Sequence, residues 1–389
     1  MLSRRSAVPT EANAATRAVE LARRERGDLI DLTESNPTRA GLPDAGDVAF
    51  AALAHPDTRR YDPSPFGALD AREAVAGYYA DHGAAVDPAR VALSASTSEA
   101  YGWAFKLLCD PGDVVHLPRP GYPLFDELAR LEGVTLAHFS AHPAGRWTLD
   151  LDALREAVTD RSRAVMVVHP ANPTGAFLSG AERDALAELC AARGLALVVD
   201  EVFIDYPAGG DPDRAGTFAD EARCLTLTLS GLSKVVAAPQ VKLGWVVASG
   251  PRGLVDEALR RLEFITDCWL SVSASAQRAA APMLSARGPV QRAIRERVSR
   301  NERALREAIR GCGLTALPRE GGWYATLRAP ATRSDEAWVE ALAREAGVLV
   351  SPGYFFDAPG EGWLVVSLLP PPEVFDEGAA RLARRVDEG

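Results

Sequence analysis

Short apolar runs recur along the middle of the chain and alternate with longer segments of mixed polarity. Several runs are almost continuous in Val, Leu and Ala, which is typical of strands covered on both faces in an α/β sheet. The seven runs are RVALSAS, DVVHLP, GVTLAHF, RAVMVVHPA, GLALVVDEVF, CLTLTLSG and LGWVVASG. Between them lie helical segments such as SGAERDALAELCAARG, in which Ser179 is placed to cap the start and Gly194 to end the helix. The pattern predicts an α/β fold with a doubly wound, mostly parallel sheet of seven strands.

The character of the sequence changes near residue 285. From there an arginine-rich amphipathic stretch is followed by shorter apolar runs and two further helical segments, which indicates a smaller α+β domain. The N-terminal helix and the stretch DLIDLTESNPTRAGLP are expected to pack with it. We therefore predict a large domain over residues 48–285 and a small domain formed by residues 1–47 and 286–389.

Composition narrows the class of protein. The chain has 389 residues, of which 47% are hydrophobic and 25% charged, enough for two sizeable cores. A net charge of -10 argues against nucleic acid or an anionic membrane as partner, and favours a small-molecule substrate. The five cysteines form no CxxC pair and no histidine stands at metal-ligand spacing, so neither a metal site nor a disulfide framework is expected. Without an apolar leader or a membrane-length apolar run, the chain is predicted to be cytoplasmic.

Polar residues follow several predicted strands at the end where ligands bind in α/β sheets. After the first run, Ser96, Thr97 and Ser98 open a predicted helix, and Glu99 completes a capping-box pattern with Ser96. Such a helix start binds anions, phosphate above all. A well-capped helix without a ligand explains these four residues equally well.

Three more positions follow later strands. Asn172 opens the turn NPTG, and a simple turn explains it. Asp200 follows a run of apolar residues, where a carboxylate needs a cation or a donor, although a helix cap is an equal explanation. Lys234 is one of only three lysines, with Lys106 and Lys242; a desolvated lysine can form a Schiff base, which arginine cannot. Brought together at one sheet edge, these groups would surround a single cofactor.

In this order, the residues resemble the pyridoxal-phosphate enzymes of fold type I, specifically the class I/II aminotransferases. The resemblance covers most of the chain and rests on YDPSPFGALDAREAVAGYY, PRPGYPLF, ANPTG, VVDEVF and GLSK. It implies that Lys234 forms the Schiff base with pyridoxal 5'-phosphate and that Asp200 meets the ring nitrogen. It places Asn172 beside the phenolic oxygen and Tyr122 against the ring. The large domain would then be the cofactor-binding domain.

The resemblance also implies how the phosphate is held and how subunits associate. Ser96, Thr97, Ser98 and Lys242 would bind the phosphate, although the family usually has arginine where Lys242 stands. Tyr61 would reach the phosphate in the partner subunit, so the resemblance predicts a homodimer with shared active sites.

Other positions depart from the family pattern. Phe203 stands where a tyrosine usually contacts the phenolic oxygen, and whether Tyr206 substitutes is open. Gly231 stands where a serine is usual. Near the C-terminus, Val365 occupies the position of the arginine that usually holds the substrate carboxylate. For substrate binding, Arg39 is then the substitute cation.

Trp323 is a second expected substrate contact, although a packed core position explains it as well. The function predicted from the resemblance is an aminotransferase that moves an amino group between an amino acid and a 2-oxo acid. Because of Val365, a pyridoxal-phosphate-dependent lyase, decarboxylase or cyclase, or an amine transaminase, is the alternative. A ligand-sensing domain derived from the same fold is a third possibility, disfavoured by the presence of both Lys234 and Asp200.

Overall fold

The computed structural model describes residues 2–8, 11–270 and 272–389. Met1, Pro9, Thr10 and Ser271, which fall inside the predicted domain ranges, lie outside the described residues. The helices are α1 (Ala14–Glu25), α2 (Gly46–Ala51), α3 (Leu69–Asp81), α4 (Thr97–Leu108), α5 (Leu124–Glu132), α6 (Leu151–Ala157), α7 (Gly180–Arg193), α8 (Leu232–Val235), α9 (Arg252–Trp269), α10 (Ala274–Ser285), α11 (Arg287–Ala308), α12 (Asp335–Ala341) and α13 (Pro372–Asp387). The strands are β1 (Ile30–Asp31), β2 (Val91–Ser94), β3 (Val114–Arg119), β4 (Thr135–Ala144), β5 (Arg146–Leu149), β6 (Ser162–Val168), β7 (Ala196–Asp200), β8 (Thr226–Gly231), β9 (Gly244–Ser249), β10 (Thr315–Ala316), β11 (Tyr324–Arg328), β12 (Val348–Leu349), β13 (Ser351–Pro352) and β14 (Trp363–Ser367).

The main sheet contains all seven predicted strands. Among the described residues it has eight strands in the order β2-β9-β8-β7-β6-β3-β4-β5. The pairs from β4 through β3, β6 and β7 to β8 are parallel, and β9 runs antiparallel between β8 and β2. The eighth strand, β5, forms an antiparallel hairpin with β4 at the edge. The predicted doubly wound, mostly parallel α/β sheet is therefore confirmed, with one strand more than the sequence pattern indicated.

Both faces of this sheet are covered, which explains why its strands read as continuous apolar runs. On β6, Ala164 and Met166 pack into the cluster formed with α4, α5 and α9, whereas Val165 and Val167 pack into the cluster with α6 and α7. The same alternation continues on β7. Because successive side chains of a strand point to opposite faces, each apolar run supplies two cores.

The predicted helix between β6 and β7 forms with both of its predicted ends. The Ser179 side chain accepts from the Glu182 N–H while the Glu182 side chain accepts from the Ser179 N–H, a complete capping box. Gly194 ends α7 in the left-handed conformation at φ 65°. Turn chemistry in the sequence thus fixes where this crossover helix starts and stops.

Two smaller sheets are built outside residues 48–285. Strands β10, β11, β14 and β13 form an antiparallel sheet, and β1 pairs in parallel with β12. The pairing of Ile30 with Val348 joins the N-terminal segment to the C-terminal part of the chain. This arrangement agrees with a small domain made of both termini, whose boundaries stay a prediction. No helix within the described ranges is long and apolar enough to cross a membrane.

Candidate active site

The carboxyl ends of β2, β3, β6, β7 and β8 meet at one edge of the main sheet, where a cavity of about 240 Å³ opens. Pockets for small molecules commonly enclose roughly 300–1,000 Å³, so this cavity lies just below that range and suits a small ligand. Its wall is formed by Ser35, Ser96, Thr97, Ser98, Tyr101, Tyr122, Phe125, Val168, Asn172, Asp200, Val202, Phe203, Gly231, Ser233, Lys234, Leu243 and Tyr324. The structure therefore brings seven of the predicted site residues into one cavity.

The start of α4 forms one side of the cavity. Ser96 is the N-cap, and its hydroxyl accepts from the Glu99 N–H at 3.2 Å. The Glu99 carboxylate accepts from the Ala95 N–H at 2.6 Å, one residue before the position that a capping box uses. Thr97 and Ser98 follow in the first turn, where backbone N–H groups have no partner inside the helix. Hydroxyls, N–H groups and the positive end of the helix dipole together suit a phosphate.

Asp200 is the last residue of β7 and is buried. The Tyr101 hydroxyl donates to its Oδ2 at 2.6 Å, and the Val202 N–H donates to its Oδ1 at 2.9 Å. Burial raises the pKa of Asp200 to about 6, while Tyr101, Val202 and the positive charge of Lys234 oppose that rise. A carboxylate held in this way can pair with a proton on a facing ring nitrogen.

Lys234 lies on α8, directly after β8. Its Nζ is 4.8 Å from the ring centre of Trp323 and 5.7 Å from that of Phe203. Burial lowers the pKa of Lys234 to about 8, against the opposing influence of Asp200. Within the described part of the chain no hydrogen bond or ion pair engages this amine. A lysine that is mostly buried, unpaired and readily deprotonated has the properties of a nucleophilic amine.

Asn172 lies on the turn that follows β6. Its side chain is buried and its Oδ1 has no hydrogen-bond partner among the described residues. Gly175 closes this turn at φ 69°, where a Cβ would lie only 2.3 Å from the carbonyl oxygen of Gly321. The NPTG turn is thus held against the segment before β11, and it leaves the Asn172 amide free to bind a ligand.

Tyr122 follows β3 at the mouth of the cavity. Its ring meets Phe125 edge to face at 5.4 Å, and burial followed by the charge of Asp200 raises the pKa of its hydroxyl. Tyr122 is 37% exposed and lines the cavity, so part of its ring is accessible to a ligand.

Four predicted site residues lie outside the cavity wall. Tyr61 is 76% exposed, and Lys242 is exposed in the left-handed conformation at φ 60°. The Arg39 side chain is 76% exposed and lies 4.0 Å from Glu34. Trp323 is fully buried beneath Lys234, which agrees with a core position. None of the four belongs to the wall of the described cavity.

The departures from the family pattern have structural counterparts. The Tyr206 hydroxyl donates to the Lys234 carbonyl and lines a different pocket, so it does not stand in for the hydroxyl absent at Phe203. At Gly231, a Cβ would lie 2.9 Å from the Leu243 carbonyl oxygen, which leaves no room for a serine without a backbone shift.

Val365 is buried and pairs with Thr326 on the neighbouring strand, so both side chains lie on the same face of the sheet. On that face the Thr326 hydroxyl donates to the Pro173 carbonyl at 3.3 Å. This face is turned toward the NPTG turn. No arginine lines the described cavity wall.

Sequence reasoning missed several cavity residues. Tyr101 lies in an amphipathic helix, where an aromatic residue reads as core, and its partner Asp200 is 99 residues away. Ser35 and Tyr324 come from opposite ends of the chain and meet at the cavity. Burial raises the pKa of Tyr324, and a hydrogen bond with Ser35 opposes this shift.

One cluster outside the cavity has the composition of a metal site. Asp126, His138 and Asp357 place their ligand atoms within 4.8 Å of one another. Arg119 lies 2.7 Å from His138 Nδ1, and since a guanidinium can only donate, Nδ1 accepts and Nε2 carries the proton. A protonated Nε2 cannot bind a metal. The ionic contact at this place is between Arg119, at the end of β3, and Asp357, in the loop before β14, at 3.7 Å.

The model of the family described as "Aminotransferase class I and II" matches residues 27–382. The chain is 30% identical over 362 residues to an aspartate/prephenate aminotransferase of Thermus thermophilus, covering 92% of each chain. It is 31% identical over 363 residues to the 4-dedimethylamino-4-oxo-anhydrotetracycline transaminase OxyQ of Streptomyces rimosus, covering 91% of this chain and 93% of that one.

Among solved structures, a single mutant of Thermus thermophilus aspartate aminotransferase superposes with a TM-score of 0.86 at 27% identity, covering 99% of both chains. These relatives transfer amino groups, so they do not favour a lyase, decarboxylase or cyclase. The family uses pyridoxal phosphate, and aminotransferases act on amino and keto acids. The predicted resemblance is confirmed: the chain belongs to the class I and II aminotransferase family and is an aminotransferase.

Proposed function

We propose that the enzyme moves an amino group between an amino acid and a 2-oxo acid with pyridoxal 5'-phosphate held on Lys234. The observation that carries this proposal is the Lys234 amine itself, which is mostly buried, has no hydrogen bond or ion pair among the described residues, and has its pKa lowered to about 8. It shares one cavity with the Asp200 carboxylate and the start of α4.

The residues of the cavity fit this cofactor. Ser96, Thr97 and Ser98 offer hydroxyls and N–H groups to a phosphate at a helix start. Asn172 lines the cavity, and its Nδ2 group can donate a hydrogen bond to the phenolic oxygen. The exposed Lys242 adds positive charge only if its side chain turns toward the phosphate, so its role stays a prediction.

Each protein group then has a defined task. When bound, pyridoxal phosphate supplies an electron sink for the electrons released at the substrate carbon. Asp200 favours a proton on the ring nitrogen that faces it, because its carboxylate is buried and ionised near neutral pH. Tyr122 orients the ring by stacking. The Lys234 Nζ accepts a proton from the substrate Cα and returns it, a transfer suited to an amine with a pKa near 8.

The substrate carboxylate is proposed to rest on hydrogen-bond donors instead of a guanidinium. Val365 offers no charge, and the described cavity wall contains Ser35, Asn172 and Tyr324 as neutral donors. Arg39 points to solvent, so its role requires movement of the loop that carries it. A neutral set of donors holds a carboxylate less tightly than a bidentate arginine does, so weak substrate binding is expected.

We also propose a homodimer in which Tyr61 completes the phosphate site of the other subunit. Its 76% exposure and its absence from the wall of its own cavity support this role. Mixing a Tyr61→Ala chain with a Lys234→Arg chain then restores activity, since one site of the mixed dimer carries neither change; no recovery argues against shared sites. A cytoplasmic location stays a prediction, supported by five unpaired cysteines.

Covalent attachment tests the proposal. The purified enzyme is incubated with pyridoxal phosphate, reduced with borohydride and digested, and the modified peptide is identified by mass spectrometry. The mass of the reduced cofactor is expected on Lys234 and on no other lysine. Lys106→Arg is the matched control, because Lys106 pairs with Glu132 away from the cavity. A modified Lys106 or Lys242 with an unmodified Lys234 would overturn the assignment.

A further inference from the structure

We propose that Tyr101 is a positioning residue that fixes the orientation of the Asp200 carboxylate and keeps it ionised. The part of this role that concerns the cofactor rests on the function proposed above. Neither the composition of the cavity nor the resemblance assigned a task to Tyr101. Its hydroxyl donates to Asp200 Oδ2 at 2.6 Å, inside a buried site.

The tyrosine is held firmly by its surroundings. Tyr101 lies on α4, one turn after the predicted phosphate site, and is 2% exposed. Its ring meets Phe125 edge to face at 4.9 Å, which fixes the ring plane and therefore the direction of the hydroxyl. Because α4 also carries Ser96 to Ser98, one helix sets the distance between the phosphate site and the group that meets the ring nitrogen.

The two hydrogen bonds on Asp200 leave a defined direction for a third partner. Val202 N–H occupies Oδ1 and Tyr101 occupies Oδ2, so the carboxylate cannot rotate without losing one of them. A carboxylate oxygen accepts more than one hydrogen bond, and the remaining acceptor sites face the cavity that both residues line. A protonated ring nitrogen can therefore be met without any reorientation of Asp200.

The second effect concerns charge. Burial alone drives Asp200 toward its neutral form, which cannot hold a proton on a ring nitrogen. Burial and the neighbouring charge of Asp200 raise the pKa of Tyr101 well above its usual value, so Tyr101 stays protonated and can only donate to the carboxylate. Donation to the ionised form opposes the effect of burial.

The titratable groups around Asp200 come from several elements. They are Tyr79 on α3, Tyr101 on α4, Tyr122 after β3 and Lys234 on α8. The charge of Asp200 raises the pKa of Tyr79 and Tyr122, which stay neutral, and Lys234 supplies a positive charge that is lost above about pH 8. Of the four, only Tyr101 donates a hydrogen bond to the carboxylate, so its removal is a selective perturbation.

The test compares Tyr101→Phe with Tyr78→Phe. Both changes remove one buried phenol that donates to an aspartate, because Tyr78 donates to Asp205 at 2.9 Å, outside the cavity. In cofactor-free enzyme with ¹³C-labelled aspartate, the Asp200 carboxyl signal is assigned by its absence in Asp200→Asn and titrated by NMR. Tyr101→Phe is expected to raise the proton affinity of Asp200 about tenfold, since a hydrogen bond to a charged group is lost. Tyr78→Phe is expected to leave it unchanged.

The loaded enzyme supplies the second readout. The dissociation constant of pyridoxal phosphate is measured as the pH is lowered. Binding should begin to weaken at a pH about 1 higher in Tyr101→Phe than in wild type, because Asp200 takes up its proton at a higher pH in the variant. An unmoved Asp200 titration, or an equal change in Tyr78→Phe, overturns the proposal. Tyr101→Leu, which also lacks the hydroxyl, gives the same comparison if the phenylalanine variant does not fold. If pyridoxal phosphate fails to bind the wild type, the proposed function falls while the cofactor-free titration still decides the role of Tyr101.

Discussion

Replacing Lys234 with methionine is expected to remove a pH-dependent part of the stability of the cofactor-free enzyme. Burial lowers the pKa of Lys234 from 10.5 to about 8, so between these pH values the unfolded chain binds a proton that the folded chain has released. Stability therefore rises as the pH increases through this window. The shift corresponds to about 3 kcal/mol, and because the side chain is partly open to cavity water we expect about 2 kcal/mol.

The free energy of unfolding is measured with urea at about pH 7.5 and about pH 10.5 for wild type and Lys234→Met. From the lower to the higher pH, the free energy of unfolding of wild type should rise by about 2 kcal/mol more than that of the variant. The contributions of the other titrating groups are the same in both proteins and cancel in this comparison. Lys106→Met is the control: Lys106 pairs with Glu132 outside the cavity and Lys234 is intact, so this variant should gain stability between the two pH values as wild type does. An identical pH dependence in wild type and Lys234→Met would refute the reasoning, because it would mean that Lys234 is not desolvated.

Two further substitutions test the departures from the family pattern. Phe203→Tyr adds a hydrogen-bond donor for the phenolic oxygen of the cofactor, so that this oxygen holds the proton it shares with the Lys234 nitrogen less tightly. The midpoint of the absorbance titration of the loaded enzyme should therefore move to lower pH by about 1. An unmoved midpoint speaks against this account. Gly231→Ala places a Cβ 2.9 Å from the Leu243 carbonyl oxygen and should lower the free energy of unfolding, measured with urea, by about 1–3 kcal/mol. Gly216→Ala, whose Cβ has nothing within 4 Å, should lower it far less. Equal losses in the two variants contradict the close approach at Gly231.

The fold was predictable where the sequence carries local signals. Seven apolar runs became seven strands because a strand covered on both faces needs apolar residues at every position. The ends of α7 followed from Ser179 and Gly194, whose roles depend only on nearby backbone groups. Strand β5 was not predicted, because Arg146–Leu149 is short, is mixed in polarity and pairs only at the sheet edge.

The site was predictable to the extent that it follows strand ends. Parallel strands bring their carboxyl ends to one edge, so Asn172, Asp200 and Lys234 had to converge. The contacts that tune these groups depend on packing between distant segments. The hydrogen bond from Tyr101 to Asp200 and the contact of Ser35 with Tyr324 leave no local pattern in the sequence. The orientation of Tyr206 toward the Lys234 carbonyl was likewise open until the structure showed it.

The most direct test of the central claim is a half-reaction in single turnover. The enzyme loaded with pyridoxal phosphate is mixed with individual amino acids in the absence of any 2-oxo acid, and absorbance and released products are followed together. The account predicts that at least one amino acid converts the cofactor to its amine form and yields one equivalent of the matching 2-oxo acid per site, with Lys234→Arg inert. Release of product while the cofactor keeps its original absorbance, or full conversion by Lys234→Arg, would contradict it.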